Sequence, residues 1–323
     1  MKVGLFISTQ FQPGESVAGR VPDLLAQVRT ARDAGFASLL LPHHYLTAPM
    51  QMLQIAPAMA YLMREAEGML VGPGIVILPL LNPVHVAEEA ATFDVLSGGN
   101  YVLGVGLGYR DPEFDAFGIP LGERAARFSE SIGLMRRLWT EDRVTHAGKF
   151  FQVKDAGIGL KPVRPGGPPI WIAAQADPAI RRAARIGDAW LIVPSASLGE
   201  IGRQVATYRA ALAEAGRTPA CLPIERECYV GASHKTALEE CRGPLEYKYA
   251  AYASWGLGGS TQMPFDQFVR DRFIIGDAAF VKDEVARYQA ALGADHFVMR
   301  VQWPGLSQEQ ALGSIRRLGQ VFA

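Results

Sequence analysis

The chain has 323 residues, 49% of them hydrophobic and 20% charged, which is enough apolar material for a large core and rules out a disordered chain. Its 32 Lys and Arg balance 32 Asp and Glu, so no basic field draws it to nucleic acid. Cys221, Cys228 and Cys241 lack metal-ligand spacing, no apolar run reaches membrane-spanning length, and the first residues carry no signal-peptide pattern, so a cytoplasmic protein with neither a membrane nor a nucleic-acid partner is expected.

Residues 2–8 form the first β-rich run, and Val21, Leu24, Leu25, Val28 and Ala31 follow at spacings of three and four, on one face of a helix. The alternation continues with a strand over 37–42, a helix over 55–66, a strand over 69–79, and a helix marked by Val84, Ala87, Ala91 and Val95 that Gly98 and Gly99 stop. A fourth strand spans 101–108 and precedes a helix that buries Phe128, Ile132, Met135 and Leu138. Residues 143–163 place a glycine-centred turn between short β-like runs and read as a hairpin excursion. The fifth and sixth strands, 168–174 and 189–193, flank a helix over 178–187. Ser197 with Glu200, and Ser307 with Gln310, have the spacing of capping boxes before two further helices. A seventh strand covers 222–231 and an eighth 295–303, the latter preceded by a helix marked by Val281, Val285, Tyr288 and Leu292. Residues 232–276 break the rhythm and read as an insertion or lid before the last βα unit. Eight strands alternating with helices predict an α/β fold, a single (β/α)8 TIM barrel over 1–323. A doubly wound open sheet is the rival, and it lacks a dinucleotide fingerprint at the first βα turn.

In such a barrel the reactive groups stand at the C-terminal ends of strands. His43 and His44 follow Pro42 at the end of the second strand, where turn chemistry is the competing reading. Pro73 and Gly74 inside an apolar third strand require a bend, as a simple bulge or as backbone pressed on a ligand. The glycines of residues 103–108 keep the fourth strand thin, either for a flat ligand or for tight packing. Ala173, Ala174 and Ala176 precede a helix opening at Asp177, whose free amides attract anions. Phe6, Phe11, His44, Trp255 and Arg300 are candidates for a substrate pocket, which suggests a mainly apolar molecule with a polar handle. No metal site is expected, and His85, His146, His234 and His296 read as surface or satisfied core residues. A barrel lyase or isomerase would need a lysine or carboxylate at a strand end, and Lys161 and Lys248 are poorly placed for it.

Four blocks, at 42–46 with its preceding leucine, 71–118, 168–191 and 294–305, together resemble the bacterial luciferase-like family of flavin- and F420-dependent oxidoreductases. The resemblance implies a (β/α)8 barrel with a catalytic histidine at His43 and a non-prolyl cis peptide at Gly74–Ile75 bulged against the cofactor ring. It places Leu107 and Tyr109 beside the cofactor and Ala174, Gln175 and Ala176 at its phosphate end. Pro42 stands where luciferase α subunits carry an acidic residue, and Leu107 where they carry a phosphate-binding arginine, which leaves Arg124 or Arg110 to supply that charge. The activity implied is that of an FMN-dependent monooxygenase of the two-component type, using O2 and reduced FMN supplied by a separate NAD(P)H:flavin reductase. An F420-dependent oxidoreductase performing hydride transfer is the alternative, and a non-catalytic flavin-binding protein a further one. A homodimer is also expected on this ground.

Overall fold

The computed structural model describes residues 1–256 and 264–323. Its frame is eight parallel strands: β1 (Lys2–Phe6), β2 (Ser38–Leu41), β3 (Leu70–Pro73), β4 (Leu103–Gly106), β5 (Ile170–Ala173), β6 (Ala189–Leu191), β7 (Pro223–Val230) and β8 (His296–Arg300). One run of ladders joins β7, β8, β1, β2 and β3, and another joins β4, β5 and β6. Two parallel bridges link these runs into a ring. Between β3 and β4 the Val71 amide donates to the Asn100 carbonyl at 2.8 Å and the Val102 amide to the Val71 carbonyl at 3.0 Å. Between β6 and β7 the Ile192 amide donates to the Pro223 carbonyl at 2.9 Å and the Glu225 amide to the Ile192 carbonyl at 2.8 Å. The chain is a (β/α)8 barrel with its strands in sequence order around the ring.

The outer layer comprises α1 (Val17–Asp33), α2 (Ile55–Met63), α3 (Pro83–Leu96), α4 (Arg124–Thr140), α5 (Asp177–Ile186), α6 (Leu198–Ala215), α7 (Ala278–Leu292) and α8 (Gln308–Phe322). Alternation along each strand divides the core in two. Val3, Leu5, Leu39, Leu41 and Val71 pack outward beneath the helices, whereas Phe6, Leu40, Val102, Trp171, Leu191 and Val298 fill the barrel interior. At the inward-facing position 4 only glycine fits, because a side chain there would run into Ser38, whose hydroxyl lies 2.8 Å from Nε2 of the buried His296. The Ser307–Gln310 capping box forms completely, while at Ser197 only the serine half is made, accepting from the Glu200 amide.

Three departures from a plain barrel shape its upper face, where the strands end. β3 is interrupted by a cis Gly74–Ile75 peptide and resumes at Val76–Ile77 beside β4. Residues Val144–Ala147 and Gln152–Ala156 form an antiparallel hairpin between α4 and β5. After β7 comes a 21-residue helix, His234–Ser254, then Phe265–Val269 and a short strand, Ile274–Gly276, paired with the end of β7. The glycine-rich centre of the expected lid, residues 257–263, lies outside the described residues. Among the described residues no helix is long and apolar enough to cross a membrane.

Candidate functional site

A cavity of ≈ 330 Å³ opens at the C-terminal ends of the strands. It brings together His43, His44, Gly74, Ile75, Leu107, Tyr109, Arg124, Ala174, Gln175, Ala176 and Arg300, all expected at a site from the sequence. Phe6, Phe11 and Trp255 are not among its lining residues. Phe6 lies just beneath, with the Arg300 guanidinium 4.0 Å from its ring centroid. Phe11 is buried in the outer core, and Trp255 stacks on Tyr252 with centroids 5.3 Å apart.

The two histidines occupy different chemical settings. His43 is 4% exposed, and its Nδ1 accepts from the Ile77 amide at 3.3 Å, so it braces the resumed half of the third strand. Burial, then the neighbouring His44, push its pKa down to about 4, leaving a neutral ring at pH 7. His44 places Nδ1 3.0 Å from Oε1 of Glu113, which is fully buried and also accepts from the Tyr45 amide at 2.9 Å. Burial raises the Glu113 carboxyl, but the His44, Tyr45 and Arg110 contacts outweigh it and hold the group below its usual value. An ionised carboxylate on Nδ1 directs that nitrogen to carry the proton and leaves Nε2 as the exchanging atom. Arg110 donates to the carbonyls of Tyr45 at 2.5 Å and Leu46 at 3.0 Å, contacts Glu113 at 3.2 Å and lies 4.4 Å from the Trp255 ring centroid. It is therefore a clamp for the His44 loop and does not line the cavity, whereas Arg124, the other arginine weighed as a phosphate partner, does line it.

The opposite wall is thin and rigid. A side chain at Gly106 would meet Ile75 at 2.7 Å, and Gly108, at φ +75°, would meet Ile77 at 2.6 Å. After β5, Trp190 donates to the Ala174 carbonyl at 2.9 Å, Gln204 to the Gln175 carbonyl at 2.9 Å, and the Gln175 side chain to Ser195 at 2.6 Å. These anchors hold Ala173–Ala176 against the cavity, with small side chains facing it. The first turn of α5 carries Asp177, which Arg203 pairs at 2.8 Å.

The floor toward β7 and β8 holds charges of which only Arg300 was expected at the site from the sequence. Glu225 and Arg300, each at most 5% exposed, face the cavity with Glu225 Oε1 3.0 Å from Arg300 Nη2. Beside them Glu227 accepts from Lys248, from Tyr249 Oη at 2.9 Å and from the Trp303 indole. The signal was present in β7, where period-two alternation puts Glu225 and Glu227 on the inward face and Arg226 outward, near the Tyr288 ring. Among the described residues no group of three potential ligands could hold a metal.

The family pattern of the luciferase-like monooxygenases matches residues 1–296. The chain belongs to that family. The luciferase-like chain is 32% identical over 140 residues, 43% of its length, to the phthiodiolone/phenolphthiodiolone dimycocerosates ketoreductase of Mycobacterium kansasii. It spans less than half of the curated relatives it matches, 38% of that ketoreductase and 49% of an uncharacterized protein of Sinorhizobium fredii. Among solved structures, monooxygenase RslO1 of Streptomyces bottropensis superposes with a TM-score of 0.89 at 23% identity, over 99% of this chain and 98% of that one. The FMN complex of the oxygenating constituent of 3,6-diketocamphane monooxygenase from Pseudomonas putida gives 0.83 at 18% identity, over 99% and 97%. An F420-dependent secondary alcohol dehydrogenase bound to an F420-acetone adduct gives 0.81 at 19%, over 99% and 97%. At these identities the superpositions establish the fold. The chain is thus an enzyme of the luciferase-like monooxygenase and oxidoreductase family.

Proposed function

We propose that this enzyme is an FMN-dependent monooxygenase of the two-component type, acting with reduced flavin and O2 on a small, largely apolar molecule. The observation that carries the reading is the single cavity in which a backbone bulge at Gly74–Ile75, a glycine-thinned β4 end and the anchored Ala174–Gln175–Ala176 turn lie together. A Cβ at Gly74 would meet Phe6 at 2.8 Å, and one at Gly106 would meet Ile75 at 2.7 Å, so packing inside the barrel requires glycine at both, and both line the cavity, where a flat ring is assigned to lie against their backbone. Gly74, Ile75, Leu107 and Tyr109 are assigned to the ring, and Arg124, Gln175 and Ala176 to the phosphate end. When bound, reduced FMN supplies the electrons that activate O2.

The chain's own residues then bind, exclude water and manage protons. The imidazole expected from the sequence to act, His43, is neutral and committed to the Ile77 amide, which suits a wall and an acceptor more than an acid. His44, oriented by Glu113 as a carboxylate orients a general base, is assigned the proton transfer, with His43 beside it. Tyr249 and Tyr252 line the cavity from helix His234–Ser254 and limit solvent entry. The flavin is supplied by a separate NAD(P)H:flavin reductase.

The His44–Glu113 pair also favours a second reading, hydride transfer from reduced F420 to a carbonyl whose oxygen takes its proton from His44, in keeping with the ketoreductase among the relatives. Anaerobic calorimetry with oxidised and reduced FMN and F420 separates the two. Preferential binding of reduced FMN with oxygen-dependent product formation is expected; F420 preference without oxygen consumption selects the second reading, and binding of neither overturns both.

A further inference from the structure

Two buried, unlike charges at the cavity floor leave hydrogen-bonding capacity unused. Glu225 is 5% exposed and Arg300 4%, and both line the cavity. Their contact, Nη2 to Oε1 at 3.0 Å, brings the charges together without hydrogen-bond alignment, so Glu225 Oε1 and Arg300 Nε are both without a hydrogen-bond partner. The remaining Arg300 contact is a long one, Nη1 to Tyr252 Oη at 3.5 Å. Buried polar atoms rarely stay unpaired, because each then forfeits the hydration it had in the unfolded chain. An acceptor and a donor thus stand side by side on two residues that line the cavity.

The charges around them decide what can complete the pair. Inward-facing Glu225 and Glu227 are matched by Arg300 and Lys248, while Arg226 turns outward and donates to the carbonyls of Val193, Glu225 and Ala196. The floor is balanced, so an incoming anion would sit against the Glu225 carboxylate with no cation left over. A neutral group that accepts from Arg300 and donates to Glu225 meets both needs.

Resting on the assignment of this cavity to a luciferase-like reaction, we infer that the substrate is an uncharged carbonyl compound carrying an O–H or N–H donor beside its carbonyl, oriented by Arg300 and Glu225. Carboxamides, lactams and hydroxyketones are the chemical forms that qualify. Carboxylates do not. Arg300 and Glu225 are here specificity residues, distinct from the proton-handling His44.

The test uses three aromatic probes of nearly one shape on the purified full chain: benzamide, which accepts and donates; acetophenone, which only accepts; and benzoate, which is anionic. Burial, opposed by Arg300, pushes Glu225 up to about 7, with Glu227, Lys248 and Arg226 also in its field, so calorimetric titrations are run at pH 8.5. Benzamide is expected to bind about tenfold tighter than acetophenone or benzoate, as one satisfied buried pair implies. In Glu225→Gln that preference shrinks and benzoate gains, because the repelling charge is gone; in Arg300→Gln all three weaken. Circular dichroism checks that each variant folds. Equal affinities for the three probes, benzoate binding best in the wild type, or an unchanged order in folded Glu225→Gln would overturn the inference. None of these outcomes depends on FMN or F420, so the cofactor titrations succeed or fail separately.

Discussion

At the level of single residues, adjacent histidines have unlike settings because their partners differ. His43 and His44 were both legible as candidates, standing at a strand end behind Pro42, but Glu113, which distinguishes them, is 69 positions away and belongs to a different βα loop. No spacing rule reaches that far. His44→Asn is therefore expected to lower kcat by about 100-fold or more with cofactor affinity little changed, the scale of a lost general acid or base. Glu113→Gln should fall between this variant and the wild type, because it removes the carboxylate that orients His44. Steady-state turnover checks both, and a His44→Asn enzyme with unaltered kcat would remove the assignment. A second buried imidazole makes a thermodynamic prediction. Burial, then Lys2, push His296 down to about 4 from an ordinary 6.5. Its unfolded form takes up the proton first, so its contribution to stability is complete above pH 6.5 and is lost as pH falls from 6.5 toward 4. His296→Gln should flatten that loss by roughly 3 kcal/mol in urea titrations at pH 7 and pH 4. An identical pH difference in variant and wild type would show that His296 does not titrate this way.

Among the elements, the strands were legible because buried parallel strands are short, apolar and bounded by glycine or proline, as β2 is between Gly35 and Pro42. Helix His234–Ser254 was not. Its buried stripe runs Ala237, Cys241, Leu245, Lys248 and Tyr249, at the right intervals, but a thiol, a lysine and an interior Pro244 disguise it. The lysine is the informative member. Lys248 and Glu227 form a buried ion pair that fastens this helix to β7, and Tyr249 and Trp303 satisfy the same carboxylate. Lys248→Met should strand Glu227 and destabilise the fold by about 3–5 kcal/mol, whereas Glu227→Gln with Lys248→Met should recover part of the loss. Thermal melts of the two variants decide it: if the double variant is no better than the single one, the pair is not the fastening.

On the scale of the whole molecule, counting strands predicts the barrel, yet its two seams could not be located in advance. One runs through Ile192 alone and the other through Val71 and the resumed Val76–Ile77, and the bridging is done by backbone groups without any distinguishing side chain at Val71 or Ile192. The hairpin and the long helix pack on this one frame, and we expect the chain to unfold as one unit. Far-ultraviolet circular dichroism and tryptophan fluorescence should trace one coincident urea transition, since Trp139, Trp171, Trp190, Trp255 and Trp303 report from around the barrel. Separated transitions would instead mark an independently folding part. The packed interior carries a kinetic consequence. Phe6, Leu40, Val102, Trp171, Leu191 and Val298 stopper the barrel from below, so the chamber above them has no rear exit through the barrel axis. On the proposed reading, a molecule seated on Glu225 and Arg300 and a ring laid along Gly74–Ile75 occupy one cavity and both enter from the strand-end face. Sequence of arrival then becomes a property of the architecture: turnover is expected to follow a compulsory order, visible as product inhibition that is competitive against one ligand alone.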